Sequence, residues 1–268
     1  MSSLDDFRLD GKVAVVTGGA GILGQRFCDG LAAAGARVAV VDLDERAARA
    51  LAKTLPNGSA GFGCDVSDPA AVTACVDKIV GHFGTVHVLH NNAATKTNDI
   101  KAFFAPFESY SLATWREVMS VNIDGMFLFA QAVGRHMLAA GHGGSIVQTA
   151  SIYALVGPDE RVYEGSEYLG GPINTPAVYA ASKAAVIGLT RWLATHWAAH
   201  QIRVNCLVPG GVSSGQNDEF ARRYSARVPL GRMANANEMV APLLFLASEA
   251  SNYVTGQVLA VDGGWTAW

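Results

Sequence analysis

The sequence predicts an α/β fold, a doubly wound parallel sheet of seven strands with helices on both faces. Short apolar runs alternate with helical patterns along the chain, which is typical of a parallel sheet covered by helices. Connections between parallel strands are right-handed, and this rule makes the sheet doubly wound. With 268 residues, half of them hydrophobic, the chain suits one large core. We therefore expect residues 1–268 to form a single domain.

Seven segments have the length and apolar content of buried strands. They are Lys12–Thr17, Arg37–Asp42, Ala60–Val66, Val86–Asn91, Gly144–Ala150, Arg203–Val208 and Gln257–Val261. Helices fill the intervals, and two long connections interrupt the alternation, at residues 95–112 and 155–176. Long loops inside a compact domain are usually functional or mobile, so we expect both to lie near a substrate.

A glycine-rich turn follows the first strand. It spans Thr17–Gly24, and the next helix should begin near Gln25. Glycines allow a tight turn and let the backbone approach a pyrophosphate, which then lies against the N–H groups at the start of the helix. The turn therefore predicts a nucleotide site. Simple packing between a strand and a helix is the alternative.

Asp42 at the end of the second strand favours NAD over NADP. Its distance from the turn suits a carboxylate that accepts hydrogen bonds from the adenosine ribose, and a 2′-phosphate there would meet a like charge. A helix cap shared with Asp44 is the alternative role. Arg46 and Arg49 follow closely and could weaken the preference, although a solvated helix face also explains them.

Tyr179 and Lys183 lie four positions apart in a stretch with a helical pattern, so their side chains should share one face. A phenol ordinarily has a pKa near 10, and a fixed cation beside it eases proton exchange with an alcohol. The pair indicates chemistry at a hydroxyl or carbonyl group. Taken alone, this spacing also fits an ordinary surface pair.

Charge and composition argue against several other classes. The net charge is −3 without a basic run, so neither nucleic acid nor an anionic membrane is an expected partner. No apolar run could span a bilayer, and the first residues are acidic, so we expect a cytoplasmic protein. The cysteines lack metal-ligand spacing and should be reduced core residues. They are Cys28, Cys64, Cys75 and Cys206.

Several separated motifs together resemble the short-chain dehydrogenase/reductase family, NAD(P)-dependent enzymes with a Rossmann fold. The matching residues are Thr17, Gly18 and Gly24, Asp65 with Val66, Asn91-Asn92-Ala93-Ala94, Asn122, Ser151, Tyr179 with Lys183, and Pro209-Gly210. The chain also departs from the family. Ile22 replaces the middle glycine of the turn, with Gly21 one place early, and Ala94 stands where Gly is usual. Many more residues than usual separate Ser151 from Tyr179.

The resemblance implies four catalytic residues. Tyr179 exchanges the substrate proton. Lys183 lowers the Tyr179 pKa and binds the nicotinamide ribose, while Ser151 holds the substrate oxygen. Asn122 anchors a water that leads protons to solvent, and a kink in a long helix is a compatible alternative for it. Other tyrosines near Ser151 lack a lysine four residues on, so we reject them as the acid–base residue. They are Tyr153, Tyr163 and Tyr168.

The expected cofactor contacts come from the glycine turn, neighbouring strand ends, the catalytic pair and the segment after the sixth strand. They are Gly18, Gly21, Ile22, Leu23, Gly24, Asp42, Leu43, Asp65, Val66, Asn91, Ala93, Tyr179, Lys183, Pro209, Gly210, Val212 and Ser214. No metal is required, because the hydride chemistry belongs to the cofactor. The resemblance also implies a homotetramer, for which the apolar helix Val186–Ala199 and the aromatic ending Val261–Trp268 offer surface.

The substrate is predicted less directly. The two long connections carry many polar groups, which favours a sugar, polyol or related hydroxy compound, unless they are only solvated surface. These groups are Lys96, Thr97, Asn98, Asp99, Lys101, Asp159, Glu160, Arg161, Glu164, Asn174 and Thr175. The aromatic residues Phe103, Phe104, Phe107 and Tyr110 suit instead a cyclic alcohol, hydroxysteroid or 3-oxoacyl compound. A non-catalytic nucleotide-binding protein is the remote alternative.

Overall fold

A computed structural model describes residues 4–168 and 170–268. Seven parallel strands in this part of the chain form the central sheet, and two more form a small hairpin. The strands are β1 (Val13–Thr17), β2 (Arg37–Asp42), β3 (Ala60–Gly63), β4 (Val88–Asn91), β5 (Gly144–Thr149), β6 (Glu167–Tyr168), β7 (Gly171–Pro172), β8 (Ile202–Pro209) and β9 (Val258–Val261). The sheet order is β3-β2-β1-β4-β5-β8-β9, with β6 and β7 paired separately. The predicted fold class is confirmed.

Helices cover both faces of the sheet. They are α1 (Ile22–Ala33), α2 (Glu45–Thr54), α3 (Pro69–Phe83), α4 (Ile100–Phe103), α5 (Leu112–Met119), α6 (Gly125–Ala140), α7 (Ala177–Trp197), α8 (Asp218–Arg227) and α9 (Val240–Ala247). Apolar side chains of α3, α6 and α7 pack on one face, and those of α1, α2 and α9 on the other. The inner strands of the sheet are almost fully buried, as their apolar sequences predict, whereas the edge strands β3 and β9 are only partly buried.

The strand order reverses between β1 and β4, which are direct neighbours. In doubly wound sheets, ligands bind beyond the carboxyl ends of the strands at this point. Thr17, Asp42 and Asn91 are the last residues of β1, β2 and β4. The fold therefore gathers the glycine turn, the acidic strand end and the asparagine motif at one edge.

Some predicted boundaries were wrong. Helix α1 begins at Ile22 rather than near Gln25, because Gly21 is extended and its carbonyl already accepts from the Gln25 amide at 2.9 Å. Strand β3 ends at Gly63, since the Asp65 carboxylate bonds the Ser67 amide and bends the chain. The predicted helix Val186–Ala199 is the second half of the longer α7.

The aromatic surface expected for assembly is smaller than the sequence suggested. Trp197 and Trp265 are only 6% and 3% exposed and pack inside the chain, whereas Trp192 and Trp268 are exposed. The position of an aromatic residue along a helix does not reveal whether it packs inward, because both faces of α7 carry apolar residues.

The two long connections contain structure of their own. The first includes α4, and the second includes a 3₁₀ turn at Glu160–Val162 and the β6–β7 hairpin. The Asn174 amide donates to the Phe104 carbonyl at 2.9 Å, so the connections touch each other. Among the described residues, no helix has both the length and the apolar character needed to cross a membrane.

Candidate active site

The glycine turn between β1 and α1 depends on close backbone contacts. Gly18 has a φ of +62°, a conformation that suits glycine. A Cβ atom on Gly24 would lie 2.0 Å from the Gly18 carbonyl oxygen, so a side chain there would displace the turn. Although Ile22 replaces the usual middle glycine, it is the first residue of α1 and its side chain is exposed. Isoleucine at this position therefore does not disturb the close backbone contacts of the turn.

Asp42 is held beside this turn. Its carboxylate accepts hydrogen bonds from the Ala20 amide at 3.0 Å and the Asp44 amide at 3.2 Å. The alternative role as a shared helix cap is not needed, because the Asp44 side chain caps α2 by accepting from the Arg46 and Ala47 amides. The Asp42 side chain is thus fixed next to the predicted pyrophosphate turn.

A cavity of about 730 Å³ lies against the turn. Its lining includes most of the predicted cofactor residues, namely Gly18, Gly21, Ile22, Leu23, Gly24, Asp42, Leu43, Asp65, Val66 and Ala93. Ile22 and Leu43 are 63% and 77% exposed, and a bound nucleotide would cover this apolar surface. A glycine floor, apolar walls and a carboxylate at one side fit the adenosine half of a dinucleotide.

Asn91 and Asn92 have different roles at the edge of this cavity. The Asn91 amide is buried and donates to the Met126 carbonyl at 3.0 Å and to Gln148 at 2.9 Å, so it holds neighbouring elements together. Asn92 lines the cavity and donates to the carbonyl groups of Thr17 and Gly18, both at 3.2 Å. Asn92 belongs to the matching motif but is not among the predicted cofactor contacts.

Ser151 and Tyr179 meet at the carboxyl end of β5. Ser151 follows that strand and caps a 3₁₀ turn at Ile152–Ala154, and Tyr179 lies in the first turn of α7. Burial raises the Tyr179 pKa, and a hydrogen bond with Ser151 lowers it, leaving the pKa above its ordinary value. The structure therefore brings the two hydroxyl groups together despite the long segment between them.

Lys183 is buried behind Tyr179, one helical turn along α7. Its ammonium donates to the Thr149 carbonyl at 3.0 Å and lies 5.9 Å from the centre of the Tyr179 ring. Burial lowers the Lys183 pKa to about 8, and Cys206 opposes this shift. The Tyr179 pKa does not move in the downward direction expected from the lysine, because burial of the phenol outweighs the other effects.

Asn122 lies in a π-helical segment, Ser120–Asp124, between α5 and α6. Its side-chain oxygen accepts from the Thr95 amide at 2.9 Å, and its amide donates to the Ser182 hydroxyl at 3.2 Å. Ser182 in turn donates to the Tyr179 carbonyl at 2.9 Å. The helix irregularity considered in the sequence analysis is therefore present, and π segments occur frequently at functional sites.

The segment after β8 approaches the same region. The Gly210 amide donates to the Val261 carbonyl at 3.0 Å, and Val212 forms an isolated bridge with Ala234. Pro209 is the last residue of β8, and the exposed Ser214 amide donates to the Gln216 side chain at 2.7 Å. Pro209, Gly210, Val212 and Ser214 do not line the turn cavity. They belong to the end of β8 and to the segment that leads from β8 to α8. Within residues 4–168 and 170–268, no cluster of three or more metal-binding side chains occurs.

Known proteins resemble this chain along nearly all of its length. A family model described as enoyl-(acyl carrier protein) reductase matches residues 19–266. D-threitol dehydrogenase of Mycolicibacterium smegmatis is 38% identical over 272 residues, which cover 97% of this chain and 95% of that protein. The crystal structure of a gluconate 5-dehydrogenase from Burkholderia cenocepacia, in complex with NADP and tartrate, has a TM-score of 0.84 and 34% identity, with both chains covered completely. A short-chain dehydrogenase from Leptospira borgpetersenii with bound NAD⁺ has a TM-score of 0.84 and 31% identity, covering 99% of this chain and 96% of that chain.

The chain belongs to the short-chain dehydrogenase/reductase family. This confirms the resemblance carried by the sequence motifs and makes the protein an oxidoreductase. Its family relatives bind NAD(P), with NADP present in one of these structures and NAD⁺ in the other.

A group of hydroxyl side chains lies beside Ser151, contributed by Tyr153, Tyr163 and Thr175. Three hydroxyl groups form a hydrogen-bonded chain, with Tyr163 bonded to Tyr153 at 2.7 Å and to Thr175 at 2.5 Å. The absence of a lysine four residues on excludes both tyrosines only as the acid–base residue. Their spacing gave no signal of this chain, because the contacts depend on how the 155–176 segment folds back.

Charged residues of the same segment are engaged elsewhere. Asp159 pairs with Arg161 at 2.8 Å and with Arg227 of α8 at 3.7 Å. Glu164 pairs with Arg223, also of α8, at 2.9 Å. The polar composition of the segment predicts hydrogen bonds to substrate from these groups, but in the structure they fasten the segment to α8.

Proposed function

We propose that the protein is an NAD-dependent dehydrogenase that oxidises a secondary alcohol group of a sugar, polyol or related hydroxy compound, or reduces the matching ketone. The contact between Ser151 and Tyr179, with Lys183 buried behind the phenol, carries this proposal. The substrate class is supported by relatives named for D-threitol and gluconate, and by the hydroxyl groups on the wall of the site.

Each catalytic residue has a distinct proposed role. Tyr179 takes the proton from the substrate hydroxyl, or returns it in the reverse direction. Ser151 donates a hydrogen bond to the same substrate oxygen and so orients it. A bound nicotinamide would accept or supply the hydride. The Lys183 ammonium favours the ionised phenol and is positioned to hold the nicotinamide ribose.

Asn122 is proposed to support proton exchange with solvent. Its side chain is already bonded to the Thr95 amide and Ser182, so any water would be held by the backbone of the irregular segment rather than by the amide group. A π-helical turn interrupts the regular pairing of backbone carbonyls, which supports this role.

The preference for NAD rests on Asp42. Its carboxylate lines the cavity beside Leu43, where a 2′-phosphate would meet a like charge. Arg49, which could have neutralised that phosphate, is paired with Glu45 at 2.6 Å. Ser214, Val212, Gly210 and Pro209 are proposed to close over the nicotinamide end of the cofactor.

A homotetramer is proposed as the working assembly. The exposed aromatic residues Trp192, Phe127 and Trp268 support an apolar contact surface. Light scattering at micromolar protein concentration tests it, and a monomeric mass would exclude it. A cytoplasmic location stays a prediction.

A substrate panel tests the proposed activity. Purified protein would be mixed with NAD and a set of polyols, aldoses, sugar acids and cyclic alcohols, and NADH would be followed by absorbance. We expect turnover with at least one polyol or sugar acid and none with the Tyr179→Phe variant. Faster turnover of a cyclic alcohol than of every polyhydroxy compound would overturn the substrate class.

A further inference from the structure

The hydroxyl chain joins the two ends of the stretch between Ser151 and α7. Tyr153 lies two residues after Ser151, and Thr175 lies two residues before the start of α7. Tyr163, from the middle of the intervening chain, bonds both hydroxyl groups. The segment thus folds back so that a residue far from either end completes the polar wall beside the catalytic serine.

The hydroxyl chain adjoins the catalytic serine. The Tyr153 amide donates to the Ser151 hydroxyl at 3.3 Å, and the Tyr163 ring packs on Phe220 of α8 with ring centres 5.4 Å apart. Tyr153, Tyr163 and Thr175 all remain partly exposed. The three hydroxyl groups are therefore linked to the catalytic serine through Tyr153 and to α8 through Tyr163, within reach of a substrate that is larger than its reacting carbon.

The number of protons on the three hydroxyl groups determines which ligand groups they can bind. Burial raises the pKa of both Tyr153 and Tyr163, so all three groups keep their protons near neutral pH. Two protons are used in the two internal hydrogen bonds, which leaves one donor at one end and free acceptors at the other. Reversing the direction of both bonds exchanges the two ends.

Three hydroxyl groups bonded in this way match a ligand group that both donates and accepts hydrogen bonds. A hydroxyl group does so, whereas a methyl group does neither and would leave the wall unsatisfied. Three charged side chains of the segment, Asp159, Arg161 and Glu164, are engaged in ion pairs with each other or with α8, and Glu160 and Glu167 are exposed.

We propose that Tyr153, Tyr163 and Thr175 form a subsite for a second substrate hydroxyl, on the carbon next to the one that is oxidised. This inference rests on the proposed function and deepens it. The enzyme is then selective for vicinal diols, the grouping that polyols and sugar acids contain and simple secondary alcohols lack.

Tyr163→Phe tests the subsite, because it removes the central hydroxyl and keeps the ring against Phe220. On the polyol that the wild type oxidises fastest, we expect KM to rise ten- to a hundredfold while kcat changes less than about threefold. The dissociation constant of NADH should stay within about twofold. Tyr168→Phe is the matched control, since Tyr168 is an exposed tyrosine of the same segment, and it should leave KM unchanged.

Inhibition by two small alcohols tests the selectivity itself. In the wild type, 2,3-butanediol should inhibit polyol oxidation at least about tenfold more strongly than 2-butanol, and Tyr163→Phe should remove most of that difference. Equal inhibition of the wild type by both compounds would overturn the subsite. So would an unchanged KM in Tyr163→Phe, or a lower melting temperature as the variant's sole defect.

Two further outcomes remain decisive. If Tyr163→Phe fails to bind NADH, Thr175→Val replaces it, because this change removes the hydroxyl at the other end of the chain. A normal KM in that variant would overturn the proposal. If the wild type oxidises no polyol or sugar acid, the proposed function itself fails, and the subsite fails with it. If the wild type oxidises a polyol and the Tyr163→Phe and Thr175→Val variants keep its KM, the subsite alone is refuted.

Discussion

The cofactor half and the substrate half of this site are held together by different kinds of contact. Around the glycine turn, the contacts are mostly with backbone groups, as between Asp42 and the Ala20 amide and between Asn92 and the Thr17 carbonyl. Around residues 155–168 and 170–176, several contacts join one side chain to another, as in the Tyr163 hydroxyl bonds and the pair of Glu164 with Arg223.

This difference has a physical consequence. A side chain on Gly24 would collide with the Gly18 carbonyl, so the cofactor half accepts few substitutions without moving buried backbone. The substrate half is fastened by exposed ion pairs and hydroxyl groups, each of small energetic value. Substrate selectivity can therefore change through side chains of this wall while the cofactor site remains as it is.

Tyr179→Phe should have the largest effect, and it should separate turnover from cofactor binding most clearly. The change removes the proton-transferring oxygen, so we expect kcat to fall at least about a thousandfold with little change in NADH affinity. Tyr110→Phe is a matched control, because Tyr110 packs in the same aromatic cluster and its buried hydroxyl has no hydrogen-bond partner among the described residues. Stopped-flow and steady-state kinetics check both. More than about a tenth of the wild-type kcat in Tyr179→Phe would assign the proton to another group.

Asp42→Ala should alter the cofactor half alone. Loss of the carboxylate removes both the ribose acceptor and the repulsion of a 2′-phosphate, so the ratio of kcat/KM for NAD over NADP should fall by up to about a hundredfold. Asp42→Asn separates the two causes, since it keeps an acceptor for the Ala20 amide and removes the charge. Wild-type enzyme that uses both cofactors equally well would refute the assignment.

His90 should make the stability of the fold sensitive to acid. It is fully buried beside Phe27, and burial lowers its pKa to about 3. From pH 6.5 down to about 3, the unfolded chain therefore binds a proton that the folded chain does not, and the unfolding free energy falls with pH. At pH 5 this loss is about 2 kcal/mol.

Urea unfolding at pH 7 and pH 5 measures this loss. His90→Gln should reduce the difference in unfolding free energy between the two pH values by that amount, whatever its effect on stability at pH 7. An identical pH difference in wild type and variant would mean that His90 is not the group responsible.

The sequence located the glycine turn, Asp42 and the Tyr179–Lys183 pair because their signals are local. Glycines near a strand end, an aspartate at the next strand end and a tyrosine with a lysine one turn later each act through neighbours close in the chain. The boundary errors were small and have local causes, as at Gly21, where an extended backbone starts α1 early.

The substrate half was predicted less well because its contacts join distant positions. Nothing in the spacing of Tyr153, Tyr163 and Thr175 indicates that they bond one another. Likewise, Glu164 and Arg223 reveal their pairing only once the segment lies on α8. Pairing between segments of irregular structure follows no period, so the sequence showed which groups were present without showing their partners.

The smallest expected effect concerns the clasp between the segment and α8, formed by Asp159, Glu164, Arg223 and Arg227. Glu164→Gln breaks the pair with Arg223, and because both partners are partly exposed, we expect kcat/KM for the polyol to fall only about two- to fivefold. Salt screens such pairs, so raising the ionic strength should lower the wild-type value toward that of the variant. A cycle with Arg223→Gln measures the coupling directly, and NADH affinity should stay constant throughout. If NADH affinity and the polyol KM change together in these variants, loss of the clasp also alters the glycine turn. The cofactor half and the substrate half are then not independent.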